Sequence, residues 1–188
     1  PVEILKASLA QVYRRMEMVR RDETDPRDNH IHWWQQHNPV TTEALIQLTL
    51  GAPQLLYNGA LLHAPVRYFD SQRRRPGLPE DVGALVHRVE KNRLGIALVN
   101  LSAVASRTLL LQAGTLGEHH FTCVGFDCVT SDYPGEVVQY AAPSVATEAT
   151  SVDVDASHFE VNLPPGTQIA LDIGLERCVN DPSYRFPW

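Results

Sequence analysis

The densest group of chemistry-bearing side chains lies between Asn29 and Asn38, in the run NHIHWWQQHN. His30 and His32 are two positions apart, so a locally extended chain would turn both imidazoles to one side. Two neutral imidazoles with a carboxylate such as Asp28 would suit Zn²⁺ or non-haem Fe²⁺. His37 could join them only through a turn. A stable site wants a third protein ligand held by the fold, so no tightly bound metal and no cofactor is expected here. Trp33 and Trp34 offer flat apolar faces to a sugar ring, and Gln35 and Gln36 can bond its hydroxyls. His30, His32, Trp33, Trp34, Gln35 and His37 are therefore the candidate ligand-contact residues. The competing reading is a polar loop whose histidines cap the next helix and whose tryptophans cover the helical core.

Other chemistry is thinly represented. Glu80-Asp81 and Asp153/Asp155 are carboxylate pairs by count, but they read as cap and solvent-face residues. There is no GxSxG elbow and no Gly-rich phosphate loop. His119 and His120 sit on a predicted strand, where adjacent rings point to opposite faces and do not act as a pair. Cys123, Cys128 and Cys178 are an odd number without zinc-type spacing, and are expected as buried free thiols. Arg73-Arg74-Arg75 reads as a solvated loop. The net charge of −6, from 22 acidic and 16 basic residues, argues against a nucleic-acid partner. No apolar run reaches the ~18 residues that span a bilayer, so no membrane partner is expected. No signal peptide is recognised, and a start at Pro1 reads as trimmed. Asn100-Leu101-Ser102 fits a glycosylation sequon at the end of a predicted buried strand.

The elements that must carry these residues fall into two classes. In residues 2–21, Leu5, Leu9, Val12, Met16 and Val19 recur at steps of three and four, which predicts an amphipathic helix. Turn formers fill 22–39. A second helix is predicted from Thr41 or Thr42, with a hydroxyl cap, to Gly51, with Pro53 beyond. Residues 54–70 read as buried irregular or short extended pieces. A third helix is predicted from Pro79, with Val82, Leu85, Val86 and Val89 as its stripe.

From Leu94 the period shortens. Strands are predicted at 94–101, 108–112 and 119–126, with Phe121, Cys123 and Gly125 on one side of the last. Val137–Tyr140 is a further short strand. Val152 and Val154 alternate with polar residues, as do Phe159, Val161 and Leu163, and then Ile169, Leu171, Ile173 and Leu175. Around Pro164-Pro165-Gly166 the last two runs predict an antiparallel hairpin. Six or so strands with no helices between them imply a mainly β chain: an antiparallel β-sandwich preceded by about three helices. The corresponding domains are a helical lead-in at 1–76 and a sandwich at 77–188.

Three segments carry a family likeness: Gly95–Ser102 (GIALVNLS), Arg107–Gly114 (RTLLLQAG) and Phe159–Arg177 (FEVNLPPGTQIALDIGLER). With them, the chain resembles the C-terminal β-sandwich accessory domains of glycoside hydrolases, over about half its length. Glu43–Asp70 looks like the last helix and exit loop of the preceding catalytic domain. The resemblance implies a noncatalytic region packed on a catalytic domain, with carbohydrate as the ligand class and a hydrolase as the parent protein. A full (β/α)₈ barrel needs roughly 250 residues, so no catalytic carboxylate carries over to this chain. Two readings stand beside it: a self-contained binding protein or metal-dependent enzyme with its site at 28–37, and an assembly or interaction domain with no small-molecule site; the expected partner is the parent catalytic domain or another copy of the chain.

Overall fold

The computed structural model describes residues 1–52, 63–129 and 146–188. The predicted pieces at 54–62 and the strand at Val137–Tyr140 lie outside the described residues. Among the described residues three helices come first: α1 (Val2–Arg21), α2 (Trp33–His37) and α3 (Glu43–Leu50). The strands follow as β1 (Val66–Asp70), β2 (Arg75–Pro76), β3 (Val82–Val89), β4 (Arg93–Asn100), β5 (Arg107–Ala113), β6 (His120–Val129), β7 (Thr147–Ala156), β8 (His158–Leu163) and β9 (Gln168–Glu176). They form two antiparallel sheets, ordered β2-β1-β5-β8 and β3-β4-β9-β6-β7. The architecture is a β-sandwich with helices at its N-terminal end. No described helix is long and apolar enough to cross a membrane.

The core sits between the sheets. Leu94, Ile96 and Leu98 of β4 and Leu171, Ile173 and Leu175 of β9 meet Val66, Tyr68, Leu109 and Leu111 of the opposite layer. Each such side chain contributes about 1.5–3 kcal/mol on burial. In β5 the outward Leu110 and Gln112 are buried as well as the inward residues, so both faces of this strand are covered. Part of that outer face is covered by the chain's own end. Phe186 and Trp188 stack on each other and set their edges against Phe69, the register partner of Leu110.

Several expectations need correction. Val82–Val89 is a strand, not a third helix beginning at Pro79. The spacing of Val82, Leu85, Val86 and Val89 fits a helix, yet Val82, Ala84 and Val86 also alternate, and these inward residues pack on the core. Three β-branched valines and Gly83 favour the extended form, and pairing with β4 decides it. The predicted hairpin is a crossing between sheets: β8 pairs with β5, and β9 pairs with β4 and β6. Its two prolines bring no N–H donors to a tight hairpin. Instead the buried Asn100 holds the crossing, its Nδ2 donating to the carbonyls of Ala105, Leu163 and Pro164. That amide nitrogen is inside the protein and engaged, so the sequon at Asn100 is not a glycosylation site in the fold. The inward side of Phe159, Val161, Ile169, Leu171 and Ile173 is as expected.

In β6 a register shift after Phe121 turns Val124, rather than Cys123, toward the core. Cys128 and Cys178 are exposed and Cys123 is half-buried, so the thiols are free but not buried. Helix α3 ends as predicted, at Gly51 in the left-handed region (φ 64°). Its Thr42 makes no side-chain cap bond, and the Thr41 hydroxyl pairs with Ser8 of α1 at 3.1 Å.

Candidate functional site

Two groups of side chains compete for attention, one in the helical part and one on the sandwich. In the first, the loop after α1 is organised by Asp22. Its Oδ1 accepts the Thr24 amide N–H at 3.0 Å and its Oδ2 accepts the Trp33 indole N–H. These bonds, those to Thr24 foremost and that of Trp33 next, hold its carboxyl below the usual carboxylate range. Trp33 stacks on His37, with ring centroids 4.3 Å apart and planes 7° from parallel. His37 Nδ1 donates to the Trp33 carbonyl at 2.9 Å, and its Nε2 lies 3.8 Å from Asp22. Trp33 and His37 thus spend their faces on each other.

His30 and His32 do come together, with centroids 5.1 Å apart. The His32 amide, however, donates to His30 Nδ1 at 3.2 Å, which occupies one of the lone pairs a metal would need. Trp34 is 56% exposed and stands clear of that packing, beside the exposed Gln35 and Gln36. Of the six predicted residues, His30, His32, Trp34 and Gln35 face solvent, while Trp33 and His37 fasten the loop to α1.

The second group was not legible as a site. Among the described residues, His63, Glu118 and His119 bring their ligand atoms within 4.8 Å of one another. The turn after β5 builds it. Gly114, at φ +87°, lies so close to the Glu118 carboxyl that a Cβ there would sit 2.5 Å from it. Glu118 Oε2 accepts the Leu116 N–H at 2.7 Å. The Gly114 N–H bonds the Pro65 carbonyl at 2.9 Å and the Ala64 N–H bonds Thr115 Oγ1 at 3.2 Å, which brings His63 alongside.

His119 is fully buried. Burial pushes its imidazole below the ordinary histidine range; Glu118 opposes this shift, and Arg177 and His63 add to it. Its Nδ1 accepts the Cys178 N–H at 3.1 Å, and its Nε2 has no hydrogen-bond partner among the described residues, with Glu118 Oε1 3.9 Å away. The same turn clasps the C-terminal segment. The Asn180 N–H bonds the Glu118 carbonyl, its Nδ2 bonds the carbonyls of Gly117 and His119, and the Ser183 N–H bonds the Leu116 carbonyl. His120 points away, to Asp155 at 2.9 Å, so the two adjacent histidines do not act as a pair. The missed signal was a long-range meeting: no local spacing joins residue 63 to 118 and 119.

A family model described as a domain of unknown function (DUF8034) matches residues 1–46, which are α1, the Asp22 loop, α2 and the start of α3. No curated protein and no solved structure matches the chain.

Proposed function

We propose that the chain is the noncatalytic β-sandwich region of a larger carbohydrate-active, glycoside-hydrolase-like protein, and that its helices pack on the catalytic domain. One observation supports this most. The sandwich covers its own core, while α1 buries none of its residues and leaves Leu5, Leu9 and Tyr13 about half exposed or more along one stripe. Helix α3 lies against a neighbouring face of α1, the one that carries Ser8, and leaves that stripe open. An apolar stripe of several turns is unfavourable in water and favours a partner surface. The family likeness of GIALVNLS, RTLLLQAG and FEVNLPPGTQIALDIGLER names the class of that partner.

The test uses the product of the complete reading frame. Replacing Leu5 and Leu9 by serine should loosen the contact, so that limited proteolysis releases the sandwich faster and glycoside hydrolysis becomes less heat-stable. Unchanged cleavage and heat stability, or a complete product that hydrolyses no glycoside, would overturn the reading. A second reading, sugar contact at 30–37, is favoured by the exposed Trp34 flanked by Gln35 and Gln36. Quenching of tryptophan fluorescence by oligosaccharides, lost in Trp34→Ala, is its expected sign; a flat titration rejects it.

A further inference from the structure

We propose that His63, Glu118 and His119 form a binding site for a Zn²⁺-class divalent cation, and that filling it competes with one of the bonds that fasten the C-terminal segment, the one from the Cys178 N–H. Two observations made independently of each other meet here. The three side chains come from two distant stretches of chain and still converge to within 4.8 Å. Inside that group the fully buried His119 leaves Nε2 without a hydrogen-bond partner among the described residues. A buried polar atom without a partner calls for a water or an ion.

The donor set selects the ion. Two imidazole nitrogens and one carboxylate oxygen suit Zn²⁺ and its neighbours in the first transition row, whereas Ca²⁺ and Mg²⁺ prefer oxygen throughout. Ligands at roughly 2.0–2.2 Å from one tetrahedral ion lie about 3.4 Å apart. His119 Nε2 and Glu118 Oε1, at 3.9 Å, need to close by about half an ångström. Gly114 leaves room for the carboxyl there, and the Leu116 N–H steadies its other oxygen. His63 is exposed, so the fourth position opens to water.

The tautomer of His119 supplies the coupling. While Nδ1 accepts the Cys178 N–H, the proton of the neutral ring is on Nε2. A cation on Nε2 needs that lone pair, so the proton must move to Nδ1, with no net proton released by the ring. Nδ1–H then faces the Cys178 N–H, donor against donor, and the contact breaks. The segment it anchors runs on through Asn180 and Ser183 to Phe186 and Trp188, which cover Phe69. Metal binding therefore loosens the start of this segment, ahead of the Asn180 and Ser183 bonds that hold it to the turn.

The experiment titrates the metal-stripped 188-residue chain with Zn²⁺, with Ca²⁺ as comparison, by calorimetry and hydrogen exchange. One equivalent of Zn²⁺ should bind, Ca²⁺ should not, and the Cys178 amide should exchange at least tenfold faster in the Zn²⁺ form. His63→Ala and Glu118→Gln should each weaken Zn²⁺ at least tenfold and abolish the exchange effect. Both alter partly exposed or merely adjacent groups and leave the buried ring in place, so the fold survives the test. Cys178→Ser and the pair His30→Ala, His32→Ala should bind as the parent does. No saturable binding, or affinity unchanged in His63→Ala and Glu118→Gln, overturns the site. Binding lost with Cys178→Ser or with the His30/His32 pair assigns the ion elsewhere and also overturns it. Stoichiometric binding with unaltered exchange at Cys178 overturns the competition.

Discussion

The sandwich and the helical lead-in bury their apolar residues to very different degrees. Leu94, Ile96, Leu98, Leu109 and Leu111 are inaccessible between the two sheets. Helix α1 has twenty residues and none of them is buried. Both segments have clear amphipathic patterning, so the difference does not come from composition. It comes from what lies opposite. A sheet face in this chain meets a second sheet, while the α1 stripe of Leu5, Leu9 and Tyr13 meets no described element. Patterning states that a face wants cover, and only topology states whether the chain supplies it.

The largest expected effect is at Leu171, at the centre of β9 and 3% exposed. Leu171→Ala should cost about 2–5 kcal/mol in denaturant unfolding. A loss below roughly 0.5 kcal/mol, the range of surface sites, would sink the claim that the sandwich core is the stable unit. Next comes the crossing between sheets. Asn100→Ala removes the Nδ2 donor from the carbonyls of Ala105, Leu163 and Pro164, of which Pro164 keeps the Thr167 hydroxyl, and should cost about 1–3 kcal/mol. If Asn100→Ala unfolds like the parent, the crossing is held by its prolines and not by the buried amide.

A smaller effect is expected where the two regions join. The Tyr68 hydroxyl, on a ring within the core, donates to the Thr49 carbonyl of α3 at 2.7 Å. Tyr68→Phe should cost about 0.5–1.5 kcal/mol, with faster exchange confined to α3. Faster exchange across β1 and β5 as well would mean that α3 is part of the sandwich's cooperative unit. The smallest effect is on the uncovered stripe. Leu9→Ser should change unfolding of the chain by less than about 0.5 kcal/mol and should reduce any concentration-dependent association seen by light scattering. A cost above ~2 kcal/mol there would show that α1 is already packed, and would erase the contrast.

Much was legible from local pattern. The extent of α1, the stop of α3 at Gly51 and the inward residues of β8 and β9 follow from periods of 3.6 and 2 and from Gly and Pro signals. Alternation also told which residues of 158–175 face inward. It could not tell that β8 and β9 belong to different sheets, because a buried face looks the same whichever strand lies beside it. Val82–Val89 satisfied both periods, and pairing with β4 chose between them. In the His/Trp loop, composition marked the residues, but the bond from Trp33 to Asp22 sorted those that pack from those left to solvent.

By itself, then, the sequence determined a mainly β chain with helices in front, and the apolar face of α1, β8 and β9. These are properties of neighbours in the chain, and short-range sterics and periodicity carry them. The tertiary structure decided the strand partners, the burial of Asn100, the cover laid over Phe69 by the C-terminal segment, and the meeting of His63 with Glu118 and His119. Each depends on residues brought together by closing long loops around a common core, and no spacing along the chain encodes such a contact.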